Sequence, residues 1–145
     1  LARQFPETLI VLDHLGGPLG VGPYSDQATA VFLEWDRAMT ELAACDNVVT
    51  KLGGLAMEVN GFNWHRLPAP PTSDDLLKGC AHYYERTIEL FGVDRCLFES
   101  NFPVDKVSCG YNTLWNAFKK LTKDYSASDK AKLFHDNAQR IYRIA

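Results

Sequence analysis

The apolar positions alternate between short aliphatic runs and longer stretches in which apolar residues recur every three or four positions. Leu9-Ile10-Val11-Leu12 is too short for a helix. Bounded by Pro6 and Gly16-Gly17-Pro18, it has the pattern of a strand buried on both faces. Asp13 and His14 stand at its C-terminal end, and a Gly/Pro-rich loop runs on to Pro23. Ala28, Val31, Phe32, Trp35, Met39 and Leu42 then recur at helical spacing, with Ser25 or Asp26 as the expected cap. Val48-Val49-Thr50 opens a second strand running into Lys51-Leu52-Gly53-Gly54. A long loop from Leu55 to Thr72 follows. A second helix is expected from a Ser73 cap, with Leu76, Leu77, Cys80, Tyr84, Ile88 and Phe91 as its stripe and Gly92 as its stop. Arg95-Cys96-Leu97-Phe98 is a third strand, leading into Glu99-Ser100-Asn101-Phe102-Pro103. Helices are expected around Thr113–Leu121, from Ser126 or Ser128 through Leu133, and after an Asp136 cap.

Strand, helix, strand, helix, strand, helix, helix is the order of an α/β fold with parallel strands and right-handed crossovers. The length, 145 residues, suits one domain, taken as residues 1–145. A net charge of −3 with 15 scattered Lys and Arg leaves no basic face for nucleic acid. No apolar run approaches the roughly 20 residues that span a bilayer, so no membrane role is expected. The four cysteines form no CxxC pair, which argues against a Cys-based zinc site and fits a reduced, cytoplasmic setting. Leu1 is not a Met, and Leu1-Ala-Arg-Gln-Phe-Pro6 reads like the end of a helix before a strand. The expectation is a natural sequence that extends upstream.

In parallel α/β folds, functional side chains collect at the C-terminal ends of the strands. Here those ends are Asp13-His14, Lys51 and Glu99-Ser100-Asn101. His14 can ligate a metal or shuttle a proton, because its ordinary pKa lies near neutrality; a simple hydrogen-bonded His is the competing reading. Lys51 could bind a carboxylate or an oxyanion, or pack its stem and reach water. Glu99 and Asn101 are two apart, which on a strand puts both on one side. A buried Glu99 would need a cation or a metal as partner. Trp64 and His65, in the long loop, are candidates for substrate contact, although His65 is as readily a solvent-facing residue.

At these strand ends the chain resembles the amidohydrolase superfamily, in the branch of predicted metal-dependent hydrolases that includes sugar-acid lactonases. Ile10-Val-Leu-Asp-His-Leu-Gly-Gly-Pro18 is similar to that family's strand ending in Asp-His-x-Gly. Asn47-Val-Val-Thr-Lys-Leu-Gly-Gly54 resembles its Lys-x-Ser-Gly strand, with Gly53 where Ser is common. Asp94 to Val104 resembles its last-strand motif, usually Gly-Ser-Asp-x-Pro, and Asp136-Asn-Ala-Gln-Arg-Ile-Tyr142 its C-terminal helix. The resemblance implies a partial TIM (β/α) barrel: the last three β/α units plus the C-terminal helices. The family's first-strand His-x-His has no counterpart in the chain.

The resemblance implies a hydrolase of a small lactone, carboxylic ester or amide, with a decarboxylase as a lesser possibility. It makes His14 a catalytic residue or a possible metal ligand and puts Asn101 at a catalytic position; Glu99 is the further catalytic candidate, and Lys51, Trp64 and His65 are the substrate-binding candidates from their places at a strand end and in the long loop. A divalent metal, zinc or manganese, is implied for the full-length enzyme, with none expected tightly bound to this chain. Asn101 stands where the family has an Asp that accepts a proton, and an amide cannot do so near neutral pH. That leaves a site rewired around Glu99, a metal-free mechanism, or an inactive remnant that binds a ligand or a partner. Three strands cannot close a barrel. A small-molecule substrate is expected, together with a homodimer or association with the missing barrel half.

Overall fold

The computed structural model describes residues 1–144. Three parallel strands, β1 (Ile10–Leu12), β2 (Val48–Leu52) and β3 (Cys96–Phe98), form one sheet in the order β1-β2-β3. The register pairs Leu12 with Thr50 and Leu52 with Phe98, so β2 and β3 end level and β1 stops two residues short of them at the same end of the sheet. Helix α1 (Ala28–Ala43) connects β1 to β2, and α2 (Ser73–Phe91) connects β2 to β3. After β3 come α3 (Tyr111–Leu121), α4 (Ala127–Ala131) and α5 (Asn137–Tyr142).

Strand alternation assigns the two sheet faces. Val48, Leu52, Cys96 and Phe98 join the core beneath the helices. Val49, Lys51 and Leu97 alternate to the other face. In the core, Phe98 stacks on Phe118 at 4.4 Å, and Tyr84 meets Phe118 edge-on at 5.4 Å. Trp35 of α1 meets Tyr83 of α2 at 4.8 Å and ties the two crossovers together. Phe118 is fully buried, and its loss to Ala would cost about 3–5 kcal/mol. All four cysteines are buried and free, as small core residues.

The helix boundaries correct the expected caps. Neither Ser25 nor Asp26 caps α1: the cap position is Gln27, without a side-chain bond. Ser25 Oγ and Gln27 Nε2 instead donate backwards to Gly22 O and Pro23 O, which spends both side chains on the preceding turn. Thr72, not Ser73, caps α2, in a reciprocal box with Asp75. Ser73 Oγ is drawn to Thr113 O across the helix layer. Asp136 caps nothing. Ser126 starts α4, and a π turn over Lys132–Asp136 carries the helix straight into α5. Among the described residues, no helix is long and apolar enough to cross a membrane.

Candidate active site at the strand ends

The chain leaves β1 through a strained turn. His14 and Leu15 lie at φ 55° and 53°, followed by Gly16 and Gly17 at 74° and 58°. A left-handed non-glycine residue costs on the order of 1–3 kcal/mol. The turn is held by burial of Leu15 and by Trp35 Nε1, which donates to Leu15 O at 2.7 Å. Its result is to aim His14 back over the end of β2. There Gly54, at φ +77°, lies under the imidazole: a Cβ on Gly54 would come within 2.5 Å of His14 Nδ1. Gly53 plays the same part for Glu99, whose Cγ and carbonyl oxygen fill the space a Cβ would need. The two glycines after Lys51 are therefore the floor on which His14 and Glu99 meet.

Glu99 is the hub. Its Oε1 lies 2.6 Å from His14 Nδ1, and its Oε2 lies 2.6 Å from Lys51 Nζ. Lys51 also reaches Asp13 Oδ1 at 2.9 Å. Burial alone would lower the Lys51 pKa, but the bonds to Glu99 and Asp13 and their negative charge hold it above the ordinary lysine value. A carboxylate so close to an ammonium is ionised and can only accept. His14 Nδ1 therefore carries the hydrogen, which leaves Nε2 as the free nitrogen. The Glu99 side chain is 13% exposed and that of His14 28%, so the imidazole still reaches open space.

Asn101 enters the same cluster by another route. The strand ends at Phe98, and Asn101 takes a left-handed backbone, φ 51°, so strand alternation does not extend to it. Its amide Nδ2 donates to Asp105 Oδ1 at 2.8 Å. Asp105 is fully buried, also accepts from Ala56 N, and has Glu99 and His14 as neighbours. Burial pushes its carboxyl up to about 6.

His14, Lys51, Glu99 and Asn101 thus come together, with Asp13 and Asp105 completing the group. Trp64 and His65 do not join them by any contact. Trp64 is buried, stacked on Phe62 at 4.5 Å and packed over Gly79 of α2. His65 Nε2 accepts from its neighbour Arg66 at 3.1 Å. The hollow of about 200 Å³ lined by Leu19, Tyr24, Asn60 and His82 lies between the loops and α1 and α2, away from these charges. Asp105 was missed from sequence because one carboxylate between Val104 and Val107 gives no sign of burial. Asp13 stood in the Asp13-His14 pair without an assigned partner.

A profile of the amidohydrolase family matches residues 1–144, and the chain belongs to that family. It is 42% identical over 144 residues to an uncharacterized protein of Sinorhizobium fredii, covering 99% of this chain and 42% of that protein. An L-fucono-1,5-lactonase of Burkholderia multivorans is 29% identical over 93% of this chain and 43% of its own length. An L-rhamnono-gamma-lactonase of Scheffersomyces stipitis is 25% identical, covering 98% and 43%. The chain spans less than half the length of these relatives. A crystal structure of an amidohydrolase from Burkholderia multivorans with bound HEPES superposes with TM-score 0.83 at 26% identity, covering 99% of this chain and 47% of that one. A second crystal form with bound Zn gives 0.82. The fold is therefore a partial (β/α) barrel, as the strand-end motifs implied.

The zinc in that neighbour makes a metal worth testing against these side chains. Both Glu99 oxygens and His14 Nδ1 are already engaged, and the Lys51 ammonium stands where a second cation would bind Glu99. Among the described residues no group of three or more His, Cys, Asp or Glu is arranged to hold a metal ion. His14 Nε2 is one free donor, and zinc sites use three or four protein ligands. The residues of this chain do not by themselves fit such a site.

Proposed function

We propose that this chain is the C-terminal part of a (β/α) barrel hydrolase that opens a small lactone, and that His14 is its proton-transfer residue. The observation that carries the reading is the Lys51–Glu99–His14 chain at the C-terminal ends of three adjacent strands. Lys51 keeps Glu99 ionised, Glu99 holds His14 in the tautomer with Nε2 free, and Nε2 is then placed to act as the base. The lactonase names of two relatives support the substrate class.

The chemistry balances on these groups. Nε2 takes a proton from water as the water oxygen bonds to the lactone carbonyl carbon. Collapse of the tetrahedral adduct breaks the ring C–O bond, and the leaving ring oxygen receives the proton from His14. The product is a hydroxy acid. No step passes through Asn101 as a base.

The open sheet bears on assembly. β1 and β3 each have one unpaired edge among the described residues, and Ile10, Val11 and Leu12 are only half-buried. We therefore propose that the chain works against further strands, from the rest of its own barrel or from a second copy. Sedimentation equilibrium of the 145-residue chain at micromolar concentration should show self-association; a stable monomer would overturn this part.

The functional test is release of acid from L-fucono-1,5-lactone and L-rhamnono-γ-lactone by the complete protein that carries this chain. Turnover that His14→Ala abolishes is expected. Turnover unchanged in His14→Ala, or none in the wild type, would overturn the reading and favour a binding role.

A further inference from the structure

Most of the side-chain oxygens at the strand ends are taken. Glu99 Oε1 and Oε2 receive His14 and Lys51, and Asp13 Oδ1 receives Lys51. Asp105 is sealed in the turn after β3, where Oδ1 accepts from Asn101 and Oδ2 from Ala56 N. That turn is fastened to the loop after β2, since Ser108 Oγ donates to Ala56 O at 2.6 Å. Besides His14 Nε2 and the oxygen Oδ2 of the exposed Asp13, the acceptor left open is Asn101 Oδ1. Its residue is half-buried, and the oxygen has no donor from the described residues.

The orientation of that amide follows from Asp105. An ionised carboxylate offers no hydrogen, so it draws the NH2 end of Asn101 and turns the carbonyl oxygen away. The left-handed backbone at Asn101, which Asn tolerates better than most residues, fixes where the amide starts from. An Asp at 101 facing Asp105 would instead set two carboxyl groups against each other.

We propose that Asp105 is a positioning residue that holds Asn101 with its carbonyl oxygen toward the mouth, where it accepts a hydrogen bond from a hydroxyl group of the lactone. This rests on the lactone-hydrolase reading and narrows it to an uncharged, hydroxylated lactone. The local charge agrees: Asp13, Glu99 and Asp105 stand against the single ammonium of Lys51. A substrate carboxylate or phosphate would meet net negative charge there, whereas a hydroxyl finds an acceptor.

The experiment uses the complete protein at pH 7.5, where Asp105 is largely ionised. The substrates are whichever of L-fucono-1,5-lactone and L-rhamnono-γ-lactone opens faster, and its monodeoxy analogues, each lacking one hydroxyl. The wild type should lose about 10–100-fold in kcat/KM on one analogue. Asn101→Ala should treat that analogue and the parent alike, within about 3-fold, while still opening both. Asp105→Asn keeps the shape but can donate or accept, so it should raise KM for the parent with little change in kcat. A second readout needs no turnover: the Asn101 side-chain amide hydrogens should be protected from solvent exchange in the wild type and lose that protection in Asp105→Asn.

Retention of the hydroxyl preference in Asn101→Ala would overturn the substrate half while leaving lactone opening in place. An unprotected Asn101 amide would overturn the positioning half. A wild type inert to every lactone would overturn the hydrolase reading itself, and the substrate half with it.

Discussion

At the N-terminal ends of the strands, long polar side chains point at backbone; at the C-terminal ends, they point at one another. Below β3, Arg95 donates to Ala43 O at 2.9 Å, Cys45 O at 3.0 Å and Phe91 O at 3.0 Å, and its guanidinium lies 5.2 Å from the Phe91 ring centre. Asn137 donates to Val93 O and Cys96 O, and Asn47 to Phe5 O and Thr8 O. These side chains bond carbonyls at the ends of α1 and α2 and in the turns that lead into β1, β2 and β3. At the opposite end, His14 and Lys51 meet Glu99 from other strands and Asn101 meets Asp105 in its own turn, with His14 and Asn101 on left-handed backbone. One end closes the fold. The other spends stability to hold groups that keep a free nitrogen and a free oxygen.

The contrast can be broken by substitution, and the largest effect belongs to the mouth. His14→Ala should lower kcat of the complete enzyme by about 10²–10⁴-fold. Its thermal midpoint should fall little, because removing the imidazole also relieves the packing over Gly54. A large loss of stability with full turnover would reverse the roles of the two ends.

Next comes the base. Arg95→Met should destabilise the chain by about 2–4 kcal/mol, since it strips donors from three carbonyls and a cation from the Phe91 face. Urea unfolding measures this, and kcat per folded molecule should be unchanged. Asn137→Ala removes two bonds and should cost about 1–3 kcal/mol in the same assay.

A further effect, confined to a narrow pH interval, concerns Asp105. Burial raises its folded pKa to about 6, against about 3.9 in the unfolded chain. Between those values the folded state binds the proton more tightly, so stability falls as pH rises from about 4 to about 6 and then levels. The magnitude is on the order of 2–3 kcal/mol. Glu99, His14, Asn101 and Cys109 face or adjoin the carboxyl. The check is therefore the difference between wild type and Asp105→Asn: the substitution should flatten the slope over this interval. Equal slopes would place the titration elsewhere.

Much of this was legible in the sequence, for identifiable reasons. Short aliphatic runs ending in Asp13-His14, Lys51 and Glu99-Ser100-Asn101 mark parallel strand ends, and three such ends on neighbouring strands share a mouth. The need of a buried Glu99 for a cation was legible too, and Lys51 supplies it. What the pattern could not carry was side-chain partnership across loops. Asp105 looks like any polar residue in a turn, and its burial depends on Ala56 and Ser108, some fifty residues apart in the chain. Ser25 and Asp136 looked like caps because propensity sees residue type and not the competing carbonyl or the π turn that displaced them. Trp64 looked available in a long loop, but Gly79 opens a slot in α2 that takes its ring into the core.

The central claim is that Glu99, held ionised by Lys51, makes His14 Nε2 the base of a lactone hydrolase. It is tested most directly by kcat/KM for L-fucono-1,5-lactone or L-rhamnono-γ-lactone in the complete protein, wild type against Glu99→Gln. Gln keeps the shape but loses the charge that fixes the His14 tautomer. The account predicts a fall of about 10²-fold or more with the fold intact by circular dichroism. A Glu99→Gln enzyme that opens the lactone at the wild-type rate would contradict it.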